Sequence, residues 1–343
     1  MMRKKEAMIR ACVLLAAIAM AAPAASADPV SDFYQGKTIR VIIGFGPGGG
    51  YDIYGRLAAE FLGKYIPGHP TIIAQNMPGA GSFKALEYLY NVAAQDGTYL
   101  GSVAQTIALD AVTDEQNKMD ITRFRYVGRF VSAIDLGVAL PRSGLKSYDE
   151  VRKREVIASA SGGGSTSVVN ALALNAYGGA KFKIVRGYDG TNEIMLSLER
   201  GEGEVNAGYS MPGLISAHPT WIKGDGAVIL FQNALKRSPL IPNVPTMPEL
   251  ATSDEGGTIL RVMAGTPEIG RGIITTPGVP AERLAALRKA FRDLVHDPEF
   301  LAVAEKRNDM IDPASGEDMD AITAETMRLP PPIVAKLRVL LKE

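Results

Sequence analysis

Four glycine-rich clusters carry the residue types and spacing that could do chemistry: Gly46–Asp52, Pro78–Ser82, Gly162–Ser167 and Gly187–Gly190. Each follows a short apolar run and precedes a helical pattern. In open α/β sheets, ligands sit at such strand-to-helix loops, beyond the carboxyl ends of the strands. Glycine lets backbone N–H groups approach a ligand closely, and a helix N-terminus adds partial positive charge. A carboxylate or phosphate can be held there without Lys or Arg, and Ser82, Ser165, Thr166 and Ser167 offer hydroxyl donors. One such cluster alone reads as a tight turn. Four of them, in equivalent positions of two similar halves, point to an anion-accepting cleft.

Other motifs lead nowhere. Gly44–Gly49 satisfies the G-x-G-x-x-G pattern of dinucleotide binding, but the next strand ends in Gln75-Asn76, where an acidic residue should hold the ribose. The same loop lacks the Gly-Lys-Ser/Thr ending of a P-loop. Ser143-Gly144-Leu145-Lys146 fits S-x-x-K, yet it lies in a coil ahead of a helix and has no Lys-Thr-Gly companion. No G-x-S-x-G elbow is present, and His69, His218 and His296 sit beside prolines or at a helix end rather than in a triad. Trp221 reads as packing. With one Cys and three His, neither a disulfide framework nor a Cys/His metal site is expected. The reading is binding without turnover: no catalytic residues, no metal and no cofactor.

The elements that position the loops come in two blocks. Thr38–Phe45 is a buried strand, Ile53, Leu57, Phe61 and Leu62 recur at helical spacing with Asp52 placed to cap them, and Thr71–Gln75 is the next strand. Ser82 caps a helix carrying Leu86, Leu89 and Tyr90, and Thr98–Val103 is a third strand. The middle repeats this with strands at Glu155–Ser161, Lys181–Arg186 and Glu204–Tyr209 and helices at Ser165–Tyr177 and Thr191–Arg200. Two α/β lobes follow, each a doubly wound, mostly parallel sheet, facing one another across a cleft. Extended runs at Arg125–Leu140 and Thr258–Thr276 are the expected crossover strands, and the tail from Pro280 to Asp312 should form helix, then coil, on the first lobe. The expected division is 28–130 for the first part of lobe 1, 131–262 for lobe 2, and 263–343 for the second crossover and the return to lobe 1.

Residues 1–27 stand apart. Arg3, Lys4, Lys5 and Arg10 precede the apolar stretch Ala11–Ala22, and Ala25-Ser26-Ala27 offers an A-x-A cleavage site. That is the pattern of a secretory signal peptide, and the run is shorter than the ~20 residues of a spanning helix. Cleavage after Ala27 turns a neutral chain of 343 residues into one with 33 basic and 36 acidic residues and no cysteine, since Cys12 is lost. A mildly acidic, cysteine-free product suits an oxidising compartment and disfavours nucleic acid as a partner. The expectation is a soluble protein outside the cytoplasm that does not span the membrane.

The loops also form an ordered set that resembles the substrate-binding proteins of tripartite tricarboxylate transporters, the Bug (Bordetella uptake gene) or TctC-like family. IRVIIGFGPGGGYD at 39–52 is similar to that family's strand-PFPPGGG-T-D loop, QNMPGAG at 75–81 to ENRPGAG, and QDGTYLG at 95–101 to PDGYTLL. SASGGGSTS at 159–167 is similar to SAGxGTSS, GYDG at 187–190 to PYKG, and KRSPLIPNVPTMPE at 236–249 to KRSPxLPDVPTVAE. Val168 stands where the family has His and Asp189 where it has Lys. Tyr209-Ser210 replaces an acidic residue, and Pro330-Pro331-Pro332 interrupts the last helix, so the chain reads as a divergent member.

The resemblance implies a periplasmic binding-protein fold, a monomer, a carboxylate ligand, transporter membrane subunits as partners, and no enzymatic activity. It implies Phe45 as an apolar wall and Gly48, Gly49, Gly50 and Asp52 as the first anion-binding loop, with Asp52 equally suited to helix capping. Ala80, Gly81 and Ser82 would form the second loop, Ser161, Ser165 and Thr166 would contribute from the other lobe, and Tyr188 would line the pocket. Two other readings are a ligand-presenting component of a sensor kinase system and an exported hydrolase, the latter disfavoured by the absent elbow and triad.

Overall fold

The computed structural model describes residues 28–113 and 119–342, so residues 1–27, read from the sequence as an export segment, lie outside the described residues. The first part of the chain forms α1 (Pro29–Tyr34), β1 (Thr38–Ile43), α2 (Gly50–Phe61), β2 (Thr71–Asn76), α3 (Phe83–Asn91), β3 (Tyr99–Ser102), α4 (Ile107–Thr113) and β4 (Tyr126–Arg129). The middle forms β5 (Asp135–Ala139), α5 (Tyr148–Lys153), β6 (Val156–Ala160), α6 (Thr166–Tyr177), β7 (Phe182–Arg186), α7 (Thr191–Arg200), β8 (Val205–Ser210), α8 (Met211–Ala217), β9 (Val228–Asn233) and α9 (Asp254–Met263). The chain returns through β10 (Gly272–Thr275), α10 (Ala281–Val295), α11 (Pro298–Lys306), β11 (Ala314–Ser315), α12 (Gly316–Thr326) and α13 (Pro331–Leu341).

Two sheets result, ordered β11-β4-β10-β3-β1-β2 and β7-β6-β8-β5-β9. Within each strand–loop–helix block the pairing is parallel, as expected: β1 with β2 and β3, and β6 with β7 and β8. The crossover and return strands add antiparallel pairs, β10 with β3 and β4, β11 with β4, and β5 with β8 and β9. Both sheets are therefore mixed, because a strand that leaves or re-enters a lobe runs against its neighbours. In β1, Ile39, Val41, Ile42 and Ile43 are all fully buried, the apolar run, interrupted at Arg40, of a central strand covered on both faces. The α2 helix stands where the spacing put it, but it buries Tyr51, Tyr54, Leu57 and Ala58, while Ile53 and Phe61 lie at its partly buried margin.

Three expectations are corrected. The run 258–276 is not continuously extended: its first part belongs to α9, whose Ser253 hydroxyl accepts the Gly256 N–H and whose Ile259, Leu260 and Met263 are buried at helical spacing. Lone strand propensity there yields to the cap and the amphipathic period. The segment after α10 is a second helix, α11, rather than coil, started by Asp297 accepting from the Glu299 and Phe300 N–H groups.

The last helix also does not return to lobe 1 with the rest of 263–343. In α13, Leu337 and Leu340 join the second-lobe core with Leu109 of α4, whereas α10 and Met319 of α12 join the first-lobe core. Pro330 stands at the break between α12 and α13, where a missing N–H costs nothing. Leu337→Ala should lower stability by about 2–4 kcal/mol in urea unfolding, and Val339→Ala, at an exposed position, by under about 0.5 kcal/mol. Equal effects would contradict this placement of the last helix.

Candidate functional site

The loop between β1 and α2 is held by one carboxylate. Asp52 Oδ2 accepts from the Gly48 N–H at 2.8 Å and from Arg56 Nε at 2.9 Å, and Oδ1 accepts from Asn76 Nδ2 at 2.7 Å. Asn76 Nδ2 also donates to the Phe45 carbonyl at 2.9 Å, so the loop is tied at both ends to β2. Burial by itself would raise the Asp52 pKa, but these hydrogen bonds outweigh it and hold the carboxyl below its usual value. The N-cap of α2 is Gly49, without any side-chain cap. Asp52 braces the loop from the third helical position, and with both oxygens engaged it does not line the cavity described next.

A cavity of about 30 Å³ lies between the lobes. Phe45, Gly49, Gly50 and Tyr51 close it from lobe 1, with the Phe45 and Tyr51 rings stacked at 4.6 Å. From lobe 2 come Ser161, Ser165, Thr166 and Ser167 at the start of α6, Gly190, Thr191 and Ile194 at the start of α7, and Gly208 and Ser210 of β8. Three helices of ten or more residues, α2, α6 and α7, thus point their N-termini at one small space. Unpaired helix N–H groups and the aligned dipoles make that space favourable to an anion. The serine hydroxyls are linked, Ser165 to Ser167 at 2.9 Å and the Ser161 N–H to Ser167 Oγ at 3.1 Å.

One cation also reaches the cavity. Arg271 arrives from the second crossover, and its side chain is only 3% exposed. Its Nη1 donates to Gln105 Oε1 at 2.7 Å, its guanidinium lies 4.0 Å from the centre of the Tyr51 ring, and its Nη2 stands 3.8 Å from Asp135 Oδ1. Gln105 Nε2 donates to Asp135 Oδ2 at 2.8 Å, which closes a buried triangle. Among the described residues, Arg271 Nε has no hydrogen-bond partner. Burial pushes the Asp135 carboxyl up to about 7, against the opposing pull of Arg271 and of the Thr166 hydroxyl.

The structure divides the residues expected at the site. Phe45, Gly49, Gly50, Ser161, Ser165 and Thr166 meet at the cavity, whereas Gly48, Asp52, Ala80, Gly81, Ser82 and Tyr188 do not line it. Ala80, Gly81 and Ser82 instead form an inter-lobe contact. A Cβ on Gly162 would lie 2.0 Å from the Gly81 nitrogen, and one on Gly81 would lie 2.6 Å from the Ser165 nitrogen, so the two loops pack backbone against backbone. Ala80, Gly81 and Ser82 all have left-handed φ, and the Ser82 hydroxyl accepts the Ala104 N–H rather than capping α3. Tyr188 packs on the second-lobe core. Next to it, the Asp189 carbonyl accepts the Gly46 N–H at 2.9 Å across the cleft.

Asn192 Nδ2 donates to the Pro47 carbonyl at 3.1 Å, and the Thr106 hydroxyl donates to the Gly164 carbonyl, so the lobes are closed on one another. Sequence reasoning missed Tyr51, Gln105, Asp135, Thr191 and Arg271. Asp135 and Arg271 did leave a signal, as charges of opposite sign set in the otherwise uncharged segments 130–140 and 269–279. Ser210 stands where the family's acidic residue was missed, and it faces the cavity.

No group of His, Cys, Asp or Glu suited to a metal ion occurs among the described residues, and none of their helices is long and apolar enough to cross a membrane. His69 and His296 bond to backbone carbonyls, and His218 stacks on Trp221 at 3.8 Å, all away from the cavity.

No family model matches the chain. A curated relative, the UPF0065 protein in the gbd 5′ region of Cupriavidus necator, is 24% identical over 312 residues, 87% of each chain. The solved structure of periplasmic binding protein BugD matches with a TM-score of 0.68 and 18% identity, over 90% of this chain and 98% of its own. MatC from Rhodopseudomonas palustris, solved with bound malate, matches with a TM-score of 0.66 and 18% identity, over 89% of this chain and 99% of its own. The fold is the bilobed α/β fold of the periplasmic solute-binding proteins, as expected. Its structural neighbours include BugD and a TctC solute-binding protein, in keeping with the resemblance of the loops.

Asp52→Asn should cost about 1–2 kcal/mol at neutral pH. Because the folded-state pKa is depressed, the stabilisation is present above the usual carboxyl value near 3.8 and is lost as pH falls through the folded value. Urea unfolding of both proteins from pH 7 down to about 2.5 should show the difference shrinking; a constant difference would contradict the role given to this carboxylate.

Proposed function

We propose that this protein is a periplasmic solute-binding protein that captures a small carboxylate and delivers it to the membrane subunits of a tripartite tricarboxylate-type transporter. The observation that carries the reading is the convergence of three helix N-termini and one buried guanidinium on a closed inter-lobe cavity. Such a site rewards a negative charge and gives a neutral solute little to pair with. The relatives support the ligand class, since MatC was solved with malate. The amino-terminal signal pattern supports the compartment, with cleavage after Ala27.

The cavity is the size of a carboxylate group or a few waters, so a larger acid enters by parting the lobes and is enclosed when they meet again. The two crossovers, 130–134 and 264–271, are the hinge. The lobe-to-lobe bonds from Gly46, Asn192 and Thr106 are those that opening must break. Among the described residues no His, Cys, Lys, Asp or Glu lines the cavity, and the site reads as one of capture and release.

A thermal-shift panel of mono-, di- and tricarboxylates with matched neutral amides tests this reading. At about 100 times its Kd a true ligand should raise Tm by about 4 °C. A panel in which no acid stabilises the protein, or in which amides do so equally, would contradict it.

A further inference from the structure

The guanidinium at the cavity has a specific geometry. Its Nη1 is committed to Gln105 Oε1, and its guanidinium carbon lies over the Tyr51 ring. The other edge, Nε with Nη2, faces the start of α2: a Cβ built on Gly50 would lie 2.9 Å from Nε and 3.4 Å from Nη2. Only glycine at position 50 leaves that edge in contact with the cavity. Nε has no acceptor among the described residues, and Nη2 is 3.8 Å from Asp135, beyond hydrogen-bond length. The Nε–Nη2 edge is one of the forks that takes a carboxylate through two parallel hydrogen bonds.

We propose that Arg271 is the residue that grips the ligand's carboxylate, through its Nε–Nη2 edge, and that Asp135 is an internal rival for the same guanidinium. The proposal rests on the carboxylate-binding reading and deepens it by naming the counter-ion. The charged and titratable groups facing Asp135 are Arg271 of the second crossover and Tyr51 of α2, whose phenol burial keeps neutral. Gln105, Thr166 and its strand partners Ser210 and Asn233 are uncharged. A ligand carboxylate therefore places two anions on one guanidinium in a buried site, where both cannot stay ionised cheaply. Asp135 takes up a proton from solvent as the ligand enters. Binding is then tighter at low pH, and a neutral analogue gains nothing from Arg271.

The test is calorimetric and thermal-shift titration of the protein with L-malate, succinate, acetate and succinamide at several pH values. For each acid that binds, Arg271→Gln should weaken binding at least about 30-fold, and Arg271→Lys should recover part of the loss. Asp135→Asn should tighten binding by about tenfold and flatten the rise in affinity that the unaltered protein shows from about pH 8 to 6. Circular dichroism checks folding. If Arg271→Gln alone does not fold, the Arg271→Gln/Asp135→Asn pair removes both charges and should fold without binding the acids. Binding by Arg271→Gln or by the double variant within about threefold of the unaltered protein would overturn the grip. Equal or weaker binding by Asp135→Asn would overturn the rivalry. If the unaltered protein binds none of these acids and no acid of the thermal-shift panel, the carboxylate reading falls and takes this inference with it; if it binds an acid and the variants bind it equally, only this inference falls.

Discussion

A guanidinium buried where two crossover strands meet constrains the rest of this structure. Arginine stays charged at any pH a protein meets, so its burial must be answered by hydrogen bonds and an anion. At Arg271 the backbone provides the frame. The Phe130 N–H donates to the Arg271 carbonyl, the Arg271 N–H donates to the Val131 carbonyl, and the Ala133 N–H donates to the Pro267 carbonyl. The two crossovers are thus a laced pair rather than two independent linkers, and the charge sits between the segments that join the lobes. Asp135 answers it incompletely at 3.8 Å, with Gln105 as go-between. What is left of the positive field opens onto the cavity.

The glycine loops take their place around this charge. Gly50 gives Arg271 access to the start of α2, and Gly162 and Gly81 let the lobes meet backbone to backbone. The glycines expected to touch a ligand therefore split into two jobs. Those at 49 and 50 frame the cavity, and those at 81 and 162 permit closure. Asp52 belongs to neither group; it ties the loop before α2 to Asn76 at the end of β2 from outside the cavity. A chain with more acidic than basic residues after Ala27 can thus still attract an anion locally, because field is set by the nearest oriented groups and not by net charge.

The fold was legible in the sequence because its signals are local. The β-branched run of β1, the Gly loop after it and the helical spacing of α2 each specify their own element, and the second block repeats them. The mixed pairing in the sheets, the helix hidden in 258–276 and the departure of α13 to the second-lobe core depend on tertiary partners that no local pattern names. The site divided the same way. Phe45, Gly49, Gly50, Ser161, Ser165 and Thr166 follow from their place between strand and helix. Arg271 and Asp135 lie 136 positions apart in the chain, and only the pairing of the crossovers brings them together. A lone charge in an otherwise uncharged stretch was the available clue, and its meaning required the partner.

The central claim is that a carboxylate closes this cleft by meeting helix N-termini and Arg271 together. A crystal structure of the protein grown with a carboxylate selected by its stabilising effect tests it most directly. The account predicts a carboxylate group within hydrogen-bond distance of Arg271 Nε and of backbone N–H groups at Gly50 and Thr166, with the lobes closed. A ligand held elsewhere, or one whose uncharged end faces Arg271, would contradict it.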